Sequence, residues 1–580
     1  MKKVFYTFMI MMGLMLGSCE DLLDKTPLDQ ISDPQFWKTE GDLELYVNRL
    51  YQDMTGNAGG YWGLSGSGGT ALPDAGTDVV ICLGNYISTK NRMDGVITVP
   101  TTGGGWSWTN VRNVNYFLDN ANRVTTGLNK DQYIGEAHFF RAWHYFELLK
   151  QFGDLPIITK TLSINDEDIL YSERKSKTEV VNFIVSDLDA AIAKMKLKSE
   201  VPAGRLNRDI ALLFKSRVCL YAGTWEKYHS GTPFAGTTDG SGFLNLAATA
   251  AKTLIDGNRY SLTTGNVKTV YYELFNQIDL TSNKEVLLWK QYNSLEAGDN
   301  FTNQQWNWPH ASGYTREFVR SYLCTDGLPI SLSPLYQGDG DLRTVAINRD
   351  PRCDQTIMKP GDALSINLKN DTIKFVTPVI TGQAEPTGYE SKKWRRPQVD
   401  PRTNGTSGEL AWIVFRYAEA LLNYAESKAE LGQLTQADVD LSINKLRQRV
   451  GMPNFVLSSI ITDPAWPDYG YPLSPVLQEV RRERTVERAA EGHRLPDVMR
   501  WRAHKLFEGK RPKGTKYTDE LKKLNATLKA DAEGYLDPYS GTVLTGAGST
   551  WGFNKDKHYL MPLPINELTI NTNLKQNPGY

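Results

Sequence analysis

Apolar residues recur at helical spacing through most of the chain. Phe139, Ala142, Phe146 and Leu149 follow one another by 3, 4 and 3, and Val181, Ile184, Leu188, Ala191 and Met195 alternate 3 and 4. Ala211, Phe214, Val218 and Tyr221 repeat the rhythm, as do Phe415, Ala418, Leu422, Ala425 and Ala429. At about 3.6 residues per turn, each set lines one face of a helix and leaves the opposite face polar. The pattern predicts antiparallel helix pairs with short connections: about 106–125 with 131–151, 178–196 with 207–223, 243–257 with 268–276, and 409–431 with 435–450. Local chemistry marks several starts. Ser176-x-x-Glu179 reads as a capping box, Asn207 as the cap after Pro202-Ala203-Gly204, and Ser32-Asp33-Pro34 sets a polar cap before a first-turn proline.

Small and large side chains mix on these faces, Ala418 beside Leu422 for example, which lets helices approach closely in the manner of tetratricopeptide (TPR) units. The strict repeat of about 34 residues is not visible, so the pairs are TPR-like only. Between about 277 and 405 the character changes to Gly, Pro, Asn and Asp with short β-type runs such as Val286–Trp289. Long loops of this kind inside a domain are usually functional or disordered. The chain thus divides into a helical part over 32–276, a loop-rich mixed part over 277–405 and a second helical part over 406–580.

The first residues are not part of that fold. Lys2 and Lys3 precede an apolar run from Val4 to Leu16, and Leu16-Gly17-Ser18-Cys19 closes it with small residues before a cysteine. A run this short does not cross a bilayer about 30 Å thick, so residues 1–18 read as a secretion signal. The block resembles the lipobox of bacterial lipoproteins, in which the cysteine is acylated and becomes the mature N-terminus. Acyl chains on Cys19, at about 0.8 kcal/mol per buried CH₂, would hold the protein on a membrane, with residues 19–31 as tether.

Composition narrows the function by exclusion. Lys and Arg number 65 against 66 Asp and Glu, leaving no basic field for phosphate, and nucleic acid is a poor partner. Cys82, Cys219, Cys324 and Cys353 stand far apart, which builds neither a zinc site nor a disulfide framework. His144 and Glu147, with His138 nearby, share helical spacing but read as a packed histidine and a surface carboxylate, and Asp339-Gly340-Asp341 as a polar turn. No G-x-S-x-G, H-E-x-x-H, P-loop or dinucleotide fingerprint is present, so nothing calls for a cofactor or a metal. A glycosidase pair of carboxylates is not singled out by any spacing. What stands out is aromatic content, 14 Trp and 28 Tyr.

The blocks Gly135-Glu136-Ala137-His138-Phe139-Phe140-Arg141-Ala142, Tyr145-Phe146 and Phe152-Gly153-Asp154-Leu155-Pro156 begin a longer correspondence. It continues through Tyr322-x-x-x-Asp326-Gly327, Arg349-Asp350-Pro351-Arg352 and Arg416-Tyr417-Ala418-Glu419-Ala420-Leu421-Leu422-Asn423-Tyr424-Ala425-Glu426. Then come Arg481-Arg482-Glu483-Arg484, Glu487, Glu491-Gly492, Arg494, Asp497, Arg500-Trp501, Pro562-Leu563-Pro564 and Asn577-Pro578-Gly579-Tyr580. In this order the blocks resemble the SusD/RagB family of outer-membrane nutrient-binding lipoproteins. The resemblance implies a mainly α, SusD-like fold with four TPR-like helix pairs plus a loop-rich region with short β-strands. It also implies a lid over a SusC-like TonB-dependent transporter that imports oligosaccharides or, in some members, peptides. Glu20 and Asp21 after Cys19 resemble the acidic signal that sends such lipoproteins to the cell surface. The Arg and Glu residues over 479–501 alternate at helical spacing, and mutual ion pairs and backbone caps account for them.

Sugar recognition needs flat apolar plates for C–H faces and planar polar groups for hydroxyls. Half of the 14 tryptophans fall on or beside predicted helices, where packing explains them, and Trp289 sits in an apolar strand-like run. The loops keep Trp62, Trp306 and Trp308 in Gln305-Trp306-Asn307-Trp308-Pro309, Trp394 before Arg395-Arg396, and Trp466 and Trp551. Asp78 in Ala75-Gly76-Thr77-Asp78 resembles an Asp that opens the family's N-terminal binding loop, which makes Asp78, Asn85 and Tyr86 candidates. The candidate ligand contacts are therefore Asp78, Asn85, Tyr86, Trp306, Trp308 and Trp394. The expected protein is a non-catalytic, surface-exposed, lipid-anchored outer-membrane receptor for oligosaccharide. Peptide capture is the rival within the family, and a surface glycoside hydrolase the rival outside it.

Overall fold

The helical stripes fold back on one another largely in sequence order. The computed structural model describes residues 36–55, 74–83, 88–292, 312–367, 369–380, 385–398 and 409–580. Its long helices are α1 (Glu40–Thr55), α2 (Thr109–Asn120), α3 (Lys130–Phe152), α4 (Lys177–Lys194), α5 (Arg208–His229), α6 (Ser241–Asp256) and α7 (Tyr417–Glu430). The most extensive packing is α3 on α4 and α5 on α6, followed by α6 on α7. Contact between the predicted pairs is thus at least as close as contact within them. Two predicted caps form as read. Ser176 and Glu179 make a reciprocal capping box at the start of α4, and the Asn207 side chain accepts from the amides of Asp209 and Ile210 at α5.

Glycine sets the closest of these approaches. A Cβ on Gly223 of α5 would lie 2.7 Å from Leu244 Cγ and 2.9 Å from the Gly240 carbonyl oxygen. Gly240 itself, at φ +81°, would put a Cβ 2.0 Å from the Gly223 carbonyl oxygen. The two backbones touch because neither carries a side chain there.

Three predicted boundaries move. The stretch 409–431 opens with a strand, β4 (Trp412–Arg416), before α7 begins. Trp412–Arg416 is a nearly continuous apolar run, and it pairs antiparallel with β2 (Val286–Lys290), which is buried just as continuously. Burial on both faces removes the alternation that would have announced a strand. The predicted helix over 268–276 shrinks to Val270–Leu274. That over 435–450 breaks at Ser442, whose hydroxyl donates to the Asp438 carbonyl at 2.5 Å.

Two further strand pairs draw on the loop-rich part. β1 (Val80–Cys82) pairs antiparallel with β3 (Ser312–Tyr314), in register Val80 to Tyr314, Ile81 to Gly313 and Cys82 to Ser312. Ala363–Ile366 and Thr372–Lys374 form a small hairpin whose second strand is exposed. One hydrophobic core runs along the helices from Trp37 to Leu563. A second gathers Val80, Tyr314, Trp394 and Trp412 around the strands. The C-terminal segment closes the first core. Asn577 Nδ2 donates to the carbonyls of Phe152 (3.0 Å) and Met561 (2.7 Å), and Arg174 donates to Asn577 Oδ1 at 2.9 Å. Cys82, Cys219, Cys324 and Cys353 are buried thiols, unbridged among the described residues. None of the described helices is long and apolar enough to cross a membrane.

Candidate functional site

Asp78 stands directly before the β1–β3 ladder. Thr77 shapes its entry: its hydroxyl donates to the Asp74 carbonyl at 2.7 Å and its amide to the Val80 carbonyl at 3.0 Å. On the partner strand, Thr315 donates its amide to the Val79 carbonyl at 3.0 Å and its hydroxyl to the Asp78 carbonyl at 2.5 Å. These bonds fix the Asp78 end of the ladder. At the other end Cys82 faces Ser312. Residues 84–87 follow this end, and residues 293–311 lead into it, both outside the described residues. Asn85 and Tyr86 belong to the first of those segments, Trp306 and Trp308 to the second. Cys19 and Trp62 likewise lie outside the described residues.

Asp78 is engaged by protein. Arg494 donates Nε to Asp78 Oδ1 at 2.8 Å and Nη2 to Oδ2 at 2.6 Å, and the two side chains are 8% and 13% exposed. Asp74, four residues earlier and buried, accepts the amides of Arg494 at 2.7 Å and Glu491 at 3.2 Å. Burial pushes the Asp74 carboxyl up to about 6, against those two amide bonds and with Asp497 and Glu491 adding to the rise. The loop 74–79 is therefore clamped onto the turn between α8 (Pro475–Arg488) and α9 (Arg494–Arg500).

Trp394 bonds to the same turn. The ring has no solvent exposure, and Nε1 donates to the Ala490 carbonyl at 2.7 Å. It stacks on Trp412 with centroids 4.5 Å apart and meets Phe275 edge-on at 4.8 Å. The expectation of a free aromatic plate at Trp394 is corrected on this point, because a ring enclosed on both faces offers none to a sugar. The loop position suggested exposure; the apolar residues that close over it come from segments distant in sequence.

Sequence reasoning passed over Asp74 as a support, and read the charges of α8 as mutual pairs. Arg482 with Glu479, Arg488 with Glu491 and Arg500 with Asp497 do pair within the stretch. Other close contacts reach away from it. Arg352 meets Glu483 at 2.6 Å and Glu487 at 2.9 Å, Arg416 meets Glu487 and Glu491 at 2.7 Å each, and Arg500 meets Glu426 at 2.6 Å. Lys393 joins Glu491 at 2.7 Å. Burial alone would raise the Glu491 carboxyl, but Arg416, Arg488 and Lys393 outweigh it and hold it down to about 2. Glu487, under Arg449, Arg416 and Arg352, lies further below the ordinary carboxylate range despite its burial. Half-buried His493 is kept neutral by desolvation and by the nearby Arg488, which donates to its Nε2. Such a lattice of paired charges makes a rigid seat beneath the ladder.

A separate cleft of about 80 Å³ opens between residues 340–343, 376–378 and 515–521. Its charged side chains are already engaged: Arg343 with Asp341 and Glu520, Lys516 with the Glu533 carbonyl. Among the described residues no group of His, Cys, Asp and Glu forms a metal cage.

Comparison with known proteins adds what geometry alone does not. A family model described as the SusD family matches residues 274–580, and one described as starch-binding, associating with the outer membrane, matches residues 103–220. A SusD-like protein of Formosa agariphila is 26% identical over 528 residues, covering 86% of this chain and 91% of its own. The starch-binding protein SusD of Bacteroides thetaiotaomicron is 23% identical, covering 80% of this chain and 76% of its own. Among solved structures, a SusD-like carbohydrate-binding protein of Bacteroides fragilis superposes with a TM-score of 0.72 at 24% identity, over 93% of this chain and all of that one.

Proposed function

Since the chain belongs to the SusD family, we propose that it is a non-catalytic, cell-surface glycan-binding lipoprotein that captures oligosaccharide and delivers it to a SusC-like TonB-dependent outer-membrane transporter. The anchor in this reading is an acylated Cys19, with Glu20 and Asp21 as the export signal. The observation that carries the binding part is the register of the β1–β3 ladder. With Cys82 opposite Ser312, the segments bearing Asn85 and Tyr86 and bearing Trp306 and Trp308 are covalently joined to one end of one rigid ladder. Aromatic plates and an amide on two such segments suit the alternating apolar and hydroxyl faces of a sugar chain. Starch and carbohydrate in the names of relatives support the same ligand class.

Calorimetry of the mature chain against a panel of oligosaccharides tests the ligand. Saturable heat with at least one glycan and none with peptides is expected; binding of peptides alone would overturn the glycan reading in favour of peptide capture. Reducing ends released from polysaccharide by the purified chain would overturn the non-catalytic reading. Affinity purification from mild detergent should bring down one large β-barrel protein, through an interface above roughly 2,000 Å².

A further inference from the structure

At one end of the helical layer α1 begins, α2 ends, α3 begins and α4 ends. Two very exposed apolar side chains stand there, Leu128 at 93% and Ile164 at 87%. Leu128 is placed by the first residue of α1: Glu40 Oε1 accepts the Asn129 amide at 3.1 Å and Asn129 Nδ2 at 2.7 Å, and a Cβ on Gly127 would collide with Glu40 Oε2. Ile164 is placed by α2. The Thr161 amide donates to Asp119 in the last turn of that helix at 2.8 Å, and Arg112 Nη1 donates to the Leu162 carbonyl at 2.8 Å. Asp166 then closes the turn that carries Ile164, accepting the Ser163 amide and hydroxyl at 2.8 Å each and pairing with Lys160. Lone apolar residues on a surface are ordinary. These two are set apart by the braced turns that hold them out and by what joins the body at the same end.

The described chain enters there. Trp37, three residues before α1, packs edge-on against Tyr116 at 5.7 Å and Phe117 at 5.8 Å, both on α2. Residues 19–35 come before it, and a chain of that length reaches about 60 Å at full stretch and averages about 20–25 Å as a coil. The far end of the layer is further from the anchor. α5 starts at this end, where the Arg208 amide donates to the Lys196 carbonyl at 2.9 Å, and its 22 residues then lead away for about 33 Å. Acyl chains on Cys19 therefore draw the end that carries Leu128 and Ile164 toward the lipid.

We propose that this end is a membrane-resting face, with Leu128 and Ile164 dipping into the headgroup boundary of the leaflet that holds the Cys19 acyl chains. The inference rests on the acylated Cys19 of the reading above. The acyl chains supply the hold, and the tether keeps the body at a high local concentration over the surface. Two apolar tips are then enough to select which face meets the lipid. Charge at this end is mixed and does not oppose contact: Asp131 pairs with Lys194 at 2.6 Å, and Lys196 reaches Asn129 Oδ1 at 2.5 Å along a stem that can lie on apolar surface. Glu167 and Asp168, exposed just beyond Ile164, keep the rim in water and confine the contact to the tips.

Leu128→Cys, Ile164→Cys and Val543→Cys, made singly in the full acylated chain, can each take a bimane label, because Cys82, Cys219, Cys324 and Cys353 are buried. Val543 is the control. It is 87% exposed as well, but its loop is held by Arg511, which donates to the Thr542 carbonyl at 3.4 Å. On vesicles of phosphatidylethanolamine and phosphatidylglycerol carrying a nitroxide lipid, emission at 128 and 164 should shift to the blue and be quenched severalfold, with neither change at 543. In the unlabelled parent on the same vesicles, the amides of 125–130 and 161–166 should exchange hydrogen severalfold more slowly than in the unacylated Cys19→Ala chain in solution. A chain that floats with the vesicles yet shows no quenching at 128 and 164, or equal quenching at 543, overturns the proposal and leaves the lipoprotein reading standing. A chain that does not float overturns both. Slowed exchange that rises with concentration in the unacylated chain assigns the face to a second copy, and slowed exchange only in a complex with the co-purified β-barrel assigns it to the transporter; either result overturns the membrane face. If the labelled variants do not fold, exchange in the parent decides.

Discussion

Asp78 and Arg494 meet fork to fork although 416 positions of sequence separate them. This pair ties the strand that carries the first candidate segment to the turn on which the buried charges converge. Removing one partner of such a pair leaves the other buried and unmatched, an effect of about 3–5 kcal/mol. Asp78→Ala should therefore lower the melting temperature by several degrees, and Arg494→Met in the same chain should restore part of the loss. A double-mutant cycle on thermal unfolding measures this coupling. Unchanged melting with a loss of glycan affinity would instead assign the Asp78 carboxylate to the ligand.

Trp306→Ala or Trp308→Ala should do the opposite. One aromatic plate contributes about 0.5–1.5 kcal/mol beyond its buried area, so each change should weaken glycan binding about tenfold and leave the melting temperature nearly unaltered. Calorimetry and melting on the same preparations separate the two effects. Full affinity in both variants would move the site away from that segment.

Acid should unfold the protein through the lattice under α8. Glu491, whose ordinary value is 4.5, is held at about 2 in the folded chain, and Glu487 is shifted the same way. A carboxyl whose folded-state value is depressed stabilises above its unfolded value, and that stabilisation is lost as pH falls through the folded one. Glu491 alone should contribute about 3 kcal/mol that disappears between roughly pH 5 and pH 2. Circular dichroism melts along that range should show the loss, and Glu491→Gln should show a shallower one from a lower starting point.

Two glycines close to one another in sequence should respond with opposite signs. Gly223→Ala would force a methyl into Leu244 and the Gly240 carbonyl, and overpacking of this kind destabilises by about 1–3 kcal/mol. Gly242 lies in the first turn of α6, and a Cβ there meets nothing within 4 Å. Gly242→Ala should be neutral or stabilise by up to about 1 kcal/mol through helix propensity. Denaturant unfolding of both variants checks the contrast.

Much of the helical frame was legible because its signals are local. A stripe at spacings of 3 and 4 and a cap such as Ser176 with Glu179 are complete within a few residues, and both appear as read. β4 was hidden because Trp412–Arg416 is buried on both faces and runs straight into the stripe of α7. The partners of α8 were hidden for another reason. Arg481 pairs with Glu430 and Arg352 with Glu483, and nothing in the spacing of 479–501 names a partner outside it. Trp394 shows the same limit, since enclosure of a loop residue depends on chains that arrive from elsewhere.

The seal made by Asn577 bears on how the molecule comes into being. Its side chain satisfies the Phe152 carbonyl at the end of α3, 425 positions earlier. During vectorial synthesis the first helical layer therefore waits, with the Phe152 carbonyl unsealed, until Asn577 has emerged. Closure over so long a loop is slow, and the intermediate exposes apolar surface in the interval. The first helical layer is thus completed by a segment made more than 400 residues after it.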